Sequence, residues 1–227
     1  MSDHIQAQLS GIRVSTTRVG TLDVAGAEPI SFDVFFDYLC PYVYRASLLL
    51  DAVRSAGRKL DVRWRYFSLT QVTSKNDGWT VWGAPPAEPV KGKLAFAAAE
   101  SARRQHRFDE LHRALLDARH RDRLDIDEPG VVESVAEEAG LDLGRLRADL
   151  ADPSILESLA ADHRHAVNEL GVFGTPTFVF EDGASAYVRL TAPSPEADGS
   201  LEVFDRLLAV AAGEPRIIEI KRPRKPI

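Results

Sequence analysis

The sequence contains very little cysteine: Cys40 is the only one among 227 residues, so no disulfide forms within the chain. It also has no run of about 18 consecutive apolar residues, the length that a membrane-spanning helix needs. Positive charge is not in excess, since 28 Lys and Arg stand against 34 Asp and Glu and the formal net charge is −6. This balance argues against broad binding to nucleic acid or anionic lipid. With no secretory-signal pattern at the start and no disulfide, we expect a cytoplasmic protein without a membrane partner.

The first part of the chain predicts a strand, a helix and a second strand. Residues 31–38 are β-branched or aromatic on both faces, which is typical of a central buried strand. Helical spacing of apolar residues follows over 42–57 and ends at a glycine. Alternating apolar and polar residues over 59–69 indicate the second strand. Residues 70–89 are rich in Gly and Pro and predict a loop.

A long helical region follows this loop. Residues 91–170 read as helices almost throughout, with Asp127 as a predicted N-cap. His112 is expected on the polar face of its helix. His163 shares an apolar stripe and is expected to be a core histidine rather than a base. No spacing of His, Cys and carboxylate side chains resembles a zinc site, so no metal is expected.

The closing part of the chain returns to strand patterns. Residues 177–181 and 186–190 read as two strands, and the Asp-Gly pair at 182–183 suits a tight hairpin turn between them. A last helix is predicted over 199–213, and residues 214–227 read as a short strand-like piece with a basic tail.

This order of elements predicts an α/β protein, a thioredoxin fold with an inserted all-helical subdomain. The predicted units are a discontinuous thioredoxin-like domain (31–69 and 171–213), a helical insertion (91–170), an N-terminal extension (1–30) in which residues 12–19 form a candidate edge strand, and a C-terminal strand and basic tail (214–227).

Cys40 lies at the junction between the first predicted strand and the helix that follows. Unpaired amide groups at a helix start stabilise negative charge, and the thiolate is the reactive form of cysteine. Pro41 suits the first helical turn because its missing N–H costs nothing there. A single cysteine is, however, most often a small buried apolar residue. The residue pattern alone leaves both readings open.

A second proline stands immediately before a strand, at Pro176. Such a proline often simply starts an edge strand. If the Thr175–Pro176 peptide bond is cis, the bend would expose the backbone of Thr175, where an extended thiol-bearing partner would place its sulfur near Cys40.

Three further side chains near the cysteine are candidates for its environment. Asp37 and Tyr38 directly precede the Leu39-Cys40 pair and are candidates for tuning its proton, although Asp37 equally suits a turn or cap. Tyr42 is a candidate for lining a substrate groove, although an aromatic ring beside a helix start more often packs.

The stretch "FDYLCPYV", followed after the helices by "GVFGTPTFVF", resembles the DsbA-like branch of the thioredoxin superfamily. The "F-x-D-x-x-C-P" lead, the "GTPT" loop and the closing "IIEIKRPR" look most like its cytoplasmic actinobacterial subgroup, which includes mycothiol-dependent nitroreductases. The resemblance implies that Cys40 is the attacking cysteine, that Pro41 and Tyr42 are the pair following it, and that Thr175-Pro176 is the cis-proline loop.

The sequence departs from this pattern at one position. Redox members carry C-P-x-C, and Val43 stands where their second cysteine would be. The resemblance therefore implies a single-cysteine oxidoreductase in which Cys40 forms a mixed disulfide that an external thiol resolves. It implies mycothiol or glutathione as co-substrate, no tightly bound cofactor, and a small or protein disulfide as substrate.

Two alternatives remain open at this point. Glutathione-using isomerases and kappa-type transferases of the same branch often have serine where Cys40 stands, and they need no second cysteine. A binding module without chemistry would also tolerate its absence. Homodimer formation is left open.

Overall fold

The described part of the computed structural model, residues 28–85, 88–192, 197–214 and 216–220, contains a sheet of four strands in the order β2-β1-β3-β4. β1 (Ile30–Phe36) pairs in parallel with β2 (Leu60–Tyr66) and antiparallel with β3 (Thr177–Phe180). β4 (Ser185–Tyr187) closes the sheet antiparallel to β3. The predicted α/β class and thioredoxin-type fold are confirmed.

The helices occupy the following ranges: α1 Pro41–Ser55, α2 Leu69–Thr73, α3 Lys93–Arg104, α4 Phe108–His120, α5 Pro129–Glu138, α6 Leu143–Leu150, a 3₁₀ turn Pro153–Leu156 that leads into α7 Glu157–Asn168, and α8 Ala197–Ala211. α1 packs against α8, and α7 packs against β2. Among the described helices, none combines the length and the apolar character that crossing a membrane would take.

β1 is buried on both faces, as its apolar pattern predicted. Phe32 and Phe36 belong to the large core cluster, in which Phe32 contacts Phe204 of α8 with ring centroids 6.0 Å apart. Phe35 points the other way and packs with Ala166 of α7. Because β1 is packed on both faces, its C-terminal end is fixed, and so is the start of the segment 37–40 that follows it.

The helical region 91–170 differs in detail from the prediction. The prediction gave no boundary between α3 and α4; a turn with His106 in the left-handed region at φ 58° separates them. Glu128, not Asp127, is the N-cap residue of α5. Asp127 instead accepts a hydrogen bond of 2.7 Å from the amide of Gly92. Its carboxylate thus joins the start of α3 to the loop before α5.

The loop after β2, the hairpin and the C-terminal segment also differ from the prediction. The predicted loop 70–89 opens with the short helix α2, and the second strand of the hairpin is shorter than 186–190. Residues 216–220 form no strand within the described part, since the sheet edges there are β2 and β4 and the tail pairs with neither. The predicted edge strand 12–19 and the basic residues 221–227 lie outside the described residues.

Candidate active site around Cys40

Cys40 is the N-cap residue of α1, with extended backbone angles (φ −86°, ψ 115°), and Pro41 occupies the first helical turn. Its amide donates to the carbonyl of Asp37 at 3.0 Å, and its own carbonyl accepts from the amide of Val43 at 3.1 Å. The thiol makes no capping hydrogen bond to the helix. The backbone therefore holds the sulfur at the helix start, where the macrodipole favours negative charge, and leaves it available for other contacts.

The loop before β3 meets this sulfur. Cys40 Sγ lies 3.2 Å from the carbonyl oxygen of Thr175, and the Thr175–Pro176 peptide bond is cis, as predicted. The pairing of Phe35 with Thr177 explains the approach, because it places the beginning of β3 beside the end of β1. Two motifs separated by 135 residues are thus in contact.

Thr175 is buried, and its hydroxyl oxygen has no hydrogen-bond partner among the described residues. The neighbouring Thr177 hydroxyl, by contrast, donates to the carbonyl of Gly174 at 2.8 Å. A buried hydroxyl without a partner costs roughly 1–3 kcal/mol. The loop that contacts the thiol therefore carries an unused polar group.

Asp37 holds the turn that precedes Cys40. It is fully buried, and its carboxylate accepts hydrogen bonds from the amides of Leu39 at 2.8 Å and Leu69 at 2.6 Å. Burial raises the pKa of Asp37 to about 6 although both amides act to lower it. Of the two roles left open by the sequence, the contacts support the turn-forming one.

Tyr38 and His112 form a buried pair beneath the site. The Tyr38 hydroxyl lies 3.1 Å from His112 Nδ1, and both side chains are buried. The prediction that His112 lies on a polar face was wrong, because its ring packs between Phe36, Trp64 and Phe108. Burial lowers the pKa of His112 to about 3, so this ring stays neutral at ordinary pH. His163 is buried, as predicted.

Two arginines and two tyrosines, which the sequence analysis did not single out together, form a cluster close to Cys40. The guanidinium groups of Arg45 and Arg189 lie over the Tyr42 ring, 5.3 and 5.1 Å from its centroid. Arg189 Nε also donates to the Tyr187 hydroxyl at 2.5 Å. We call Tyr42, Arg45, Tyr187 and Arg189 the Tyr–Arg rim.

The β3–β4 hairpin brings the second half of this rim to the cysteine. Tyr187 pairs with Thr177 across the strands, and the amide of Val188 donates to the carbonyl of Pro176 at 3.1 Å. A side chain at Gly174 would lie 3.2 Å from the Tyr187 ring, so glycine permits the close approach of the loop. No local signal marks this arrangement, because it depends on strand pairing.

These features define a class of protein: one with a thioredoxin-type fold in which the first helix begins at a cysteine that contacts a Thr-Pro loop. Residues 31–196, more than half of the chain, match the family model of the DSBA-like thioredoxin domain. The chain belongs to this family.

Individual proteins agree with this assignment. The chain is 27% identical over 198 residues to an uncharacterized protein of Mycobacterium tuberculosis, covering 86% of this chain and 82% of that protein. A thioredoxin-like oxidoreductase from Silicibacter pomeroyi is similar with TM-score 0.55 and 25% identity, covering 80% of this chain and 88% of that chain.

Two further solved structures share the fold. A probable DsbA oxidoreductase from Streptomyces coelicolor has TM-score 0.60 and 22% identity, covering 87% of this chain and 94% of that chain. A cytosolic disulfide reductase, DsbM, from Pseudomonas aeruginosa with GSH has TM-score 0.55 and 21% identity, covering 80% and 100%.

Proposed function

We propose that the protein is a cytoplasmic thiol-disulfide oxidoreductase that works with Cys40 alone and a low-molecular-weight thiol, mycothiol or glutathione. The observation that carries this proposal is that Cys40, at the start of α1, places its Sγ 3.2 Å from the carbonyl oxygen of Thr175. Val43, in the position of a second cysteine, leaves no thiol in the chain to resolve an adduct.

The exchange proceeds in two balanced steps. The Cys40 thiolate attacks one sulfur of a disulfide, a new S–S bond forms to Cys40, and the departing thiolate takes the electron pair of the broken S–S bond. A small thiolate then attacks the sulfur attached to Cys40, forms a new S–S bond to it, and releases the Cys40 thiolate. Helix-start amides stabilise the thiolate at the beginning and the end of this cycle.

The burial of the site supports a docked rather than a freely colliding partner. Cys40 is only 5% exposed, so a disulfide has to fit beside the Thr175 loop before its sulfur reaches the thiol. The unpaired Thr175 hydroxyl offers a hydrogen-bonding group for that partner. A small thiol as partner is also supported by the structure of the cytosolic disulfide reductase DsbM from Pseudomonas aeruginosa, which was solved with GSH.

Intact-mass measurement tests the proposal. Folded wild-type protein incubated with oxidised glutathione should gain one glutathione, and excess reduced small thiol should remove it; Cys40→Ser should gain none. If the folded protein takes up no adduct from any small disulfide while the urea-unfolded protein does, Cys40 is a packing residue and the proposal fails. Non-covalent thiol binding without an adduct would favour the isomerase or transferase alternative.

A further inference from the structure

The Tyr–Arg rim carries two positive charges that the described part of the protein does not neutralise. Neither Arg45 nor Arg189 forms an ion pair with a carboxylate there, whereas Arg58, Arg63 and Arg104 each do. The two unneutralised guanidinium groups lie over one ring, in a chain of net charge −6.

Each rim arginine uses one side-chain hydrogen bond to fix its position. An Arg45 Nη donates to the carbonyl of Leu190 at 3.0 Å, and Arg189 Nε donates to the Tyr187 hydroxyl at 2.5 Å. A guanidinium group has five N–H donors in a rigid plane, so most of them remain unused. Stacking on Tyr42 further limits the motion of both groups. Such a preordered fork is suited to a carboxylate, which it binds through two parallel hydrogen bonds.

The rim lies within electrostatic reach of the reacting sulfur. The pKa of Arg189 is raised chiefly by its hydrogen bond to Tyr187, and negative charge on Cys40 acts in the same direction. Tyr42 is only two residues after Cys40. A small molecule that contacts both the sulfur and the rim can therefore pair an anionic group of its own with these guanidinium groups.

We infer that the Tyr–Arg rim binds a carboxylate of the small thiol that exchanges with Cys40, so that the co-substrate belongs to the carboxylate-bearing peptide thiols rather than to uncharged sugar-based thiols. This inference rests on the proposed function and deepens it. In the mixed disulfide, the carboxylate pairs with Arg45 and Arg189 while the sulfur stays beside Thr175. The arginines are positioning residues, because they hold the partner and do not touch the bond that forms.

The test compares rates of adduct formation at Cys40 with three disulfides of different charge: oxidised glutathione (anionic), hydroxyethyl disulfide (neutral) and cystamine (cationic). Quenched samples are read by intact mass. Wild-type protein should react with oxidised glutathione faster than with the neutral reagent, and slowest with cystamine. Added salt should reduce the differences between these rates, because salt screens exposed charges.

Variants locate the preference. Arg189→Gln and Arg45→Gln should each lower the ratio of the oxidised-glutathione rate to the hydroxyethyl-disulfide rate by up to about fivefold, the range of an exposed ion pair. The ratio cancels any change in the thiol itself. The matched control is Arg164→Gln, which removes the same charge from a guanidinium that lies 5.9 Å from the Trp82 ring. Its ratio should equal that of wild type.

The outcomes separate the two claims. Adducts that form with all three disulfides at rates independent of charge and salt, or an unchanged ratio in both rim variants, overturn the inference and leave the proposed function standing. An absence of adducts with every disulfide overturns both.

Discussion

Replacing Asp37 with Asn should change how the stability of the protein depends on pH. Burial raises the pKa of this carboxyl to about 6 from the ordinary 3.8. Between these values the folded chain binds more protons than the unfolded chain, so the group stabilises the fold below pH 3.8 and this contribution is lost as the pH rises through 6. The difference between the two values, at about 1.36 kcal/mol for each pKa unit, corresponds to about 3 kcal/mol.

The assay is urea unfolding of wild type and Asp37→Asn between pH 4.5 and 7.5, followed by tryptophan fluorescence. The free energy of unfolding of wild type minus that of the variant should fall by about 2 kcal/mol over this range, the part of the total lying within it. Buried histidines such as His112 and His163 change the stability of both chains in the same way and cancel in the difference. The asparagine side chain of the variant has one acceptor oxygen where the carboxylate had two, so it can accept from only one of the backbone amides of Leu39 and Leu69. This loss lowers the stability of the variant by an amount that does not depend on pH.

An exposed aspartate supplies the control. Asp77→Asn changes the same chemical group at the surface, and its curve should follow that of wild type throughout. If the curves of wild type and Asp37→Asn stay parallel from pH 4.5 to 7.5, burial of Asp37 does not hold a proton on it and the reasoning is refuted.

Three further predictions concern other positions. Val43→Cys should turn the one-to-one adduct at Cys40 into an internal disulfide, because residues three apart on a helix are neighbours; an adduct that persists in the intact mass would contradict this. Burial lowers the pKa of His112 from 6.5 to about 3, so the neutral ring stabilises the fold above pH 6.5 and about 2 kcal/mol of the free energy of unfolding should be lost by pH 5. In urea unfolding, His112→Phe should lack this pH-dependent loss, and equal losses in wild type and variant would refute the assignment. Gly92→Ala, at φ 79° and with its new Cβ 3.3 Å from a leucine side chain, should destabilise the protein by more than the roughly 1–2 kcal/mol of backbone strain alone. Gly78→Ala, at φ 77° in open space, measures that backbone cost, and equal losses in thermal unfolding would disprove the steric part.

The parts of the fold that depend on local pattern could be read from the sequence. Apolar residues on both faces of 31–38 identified β1, and the alternation over 59–69 identified β2. The approach of Thr175 to Cys40 followed from the order of elements and from two motifs at strand ends. These features are set by side-chain periodicity and by the few ways in which such elements pair.

Other features could not be read in this way, or were misread. His112 stands four residues after Phe108 and so shares its helix face; the signal existed, but the polar character of histidine hid it. The Tyr–Arg rim joins Tyr42 to Arg189 through the pairing of β3 with β4, which no local pattern encodes. Residues 216–220, part of the strand predicted after residue 214, form none, because β-branched residues describe only a preference and this segment pairs with neither sheet edge, β2 or β4.

The hydrogen bond between the amide of Val188 and the carbonyl of Pro176 has a consequence for how this scaffold diversifies. Cys40 lies at the start of α1, while part of its surroundings belongs to a short hairpin whose backbone is held by hydrogen bonds that do not involve its side chains. The side chains at 187 and 189 can therefore be exchanged while this backbone hydrogen bond to the Pro176 carbonyl stays in place. If the rim binds the partner, the hairpin half of it, Tyr187 and Arg189, can be exchanged without a substitution in the helix that begins at Cys40, while Tyr42 and Arg45 on that helix stay in place.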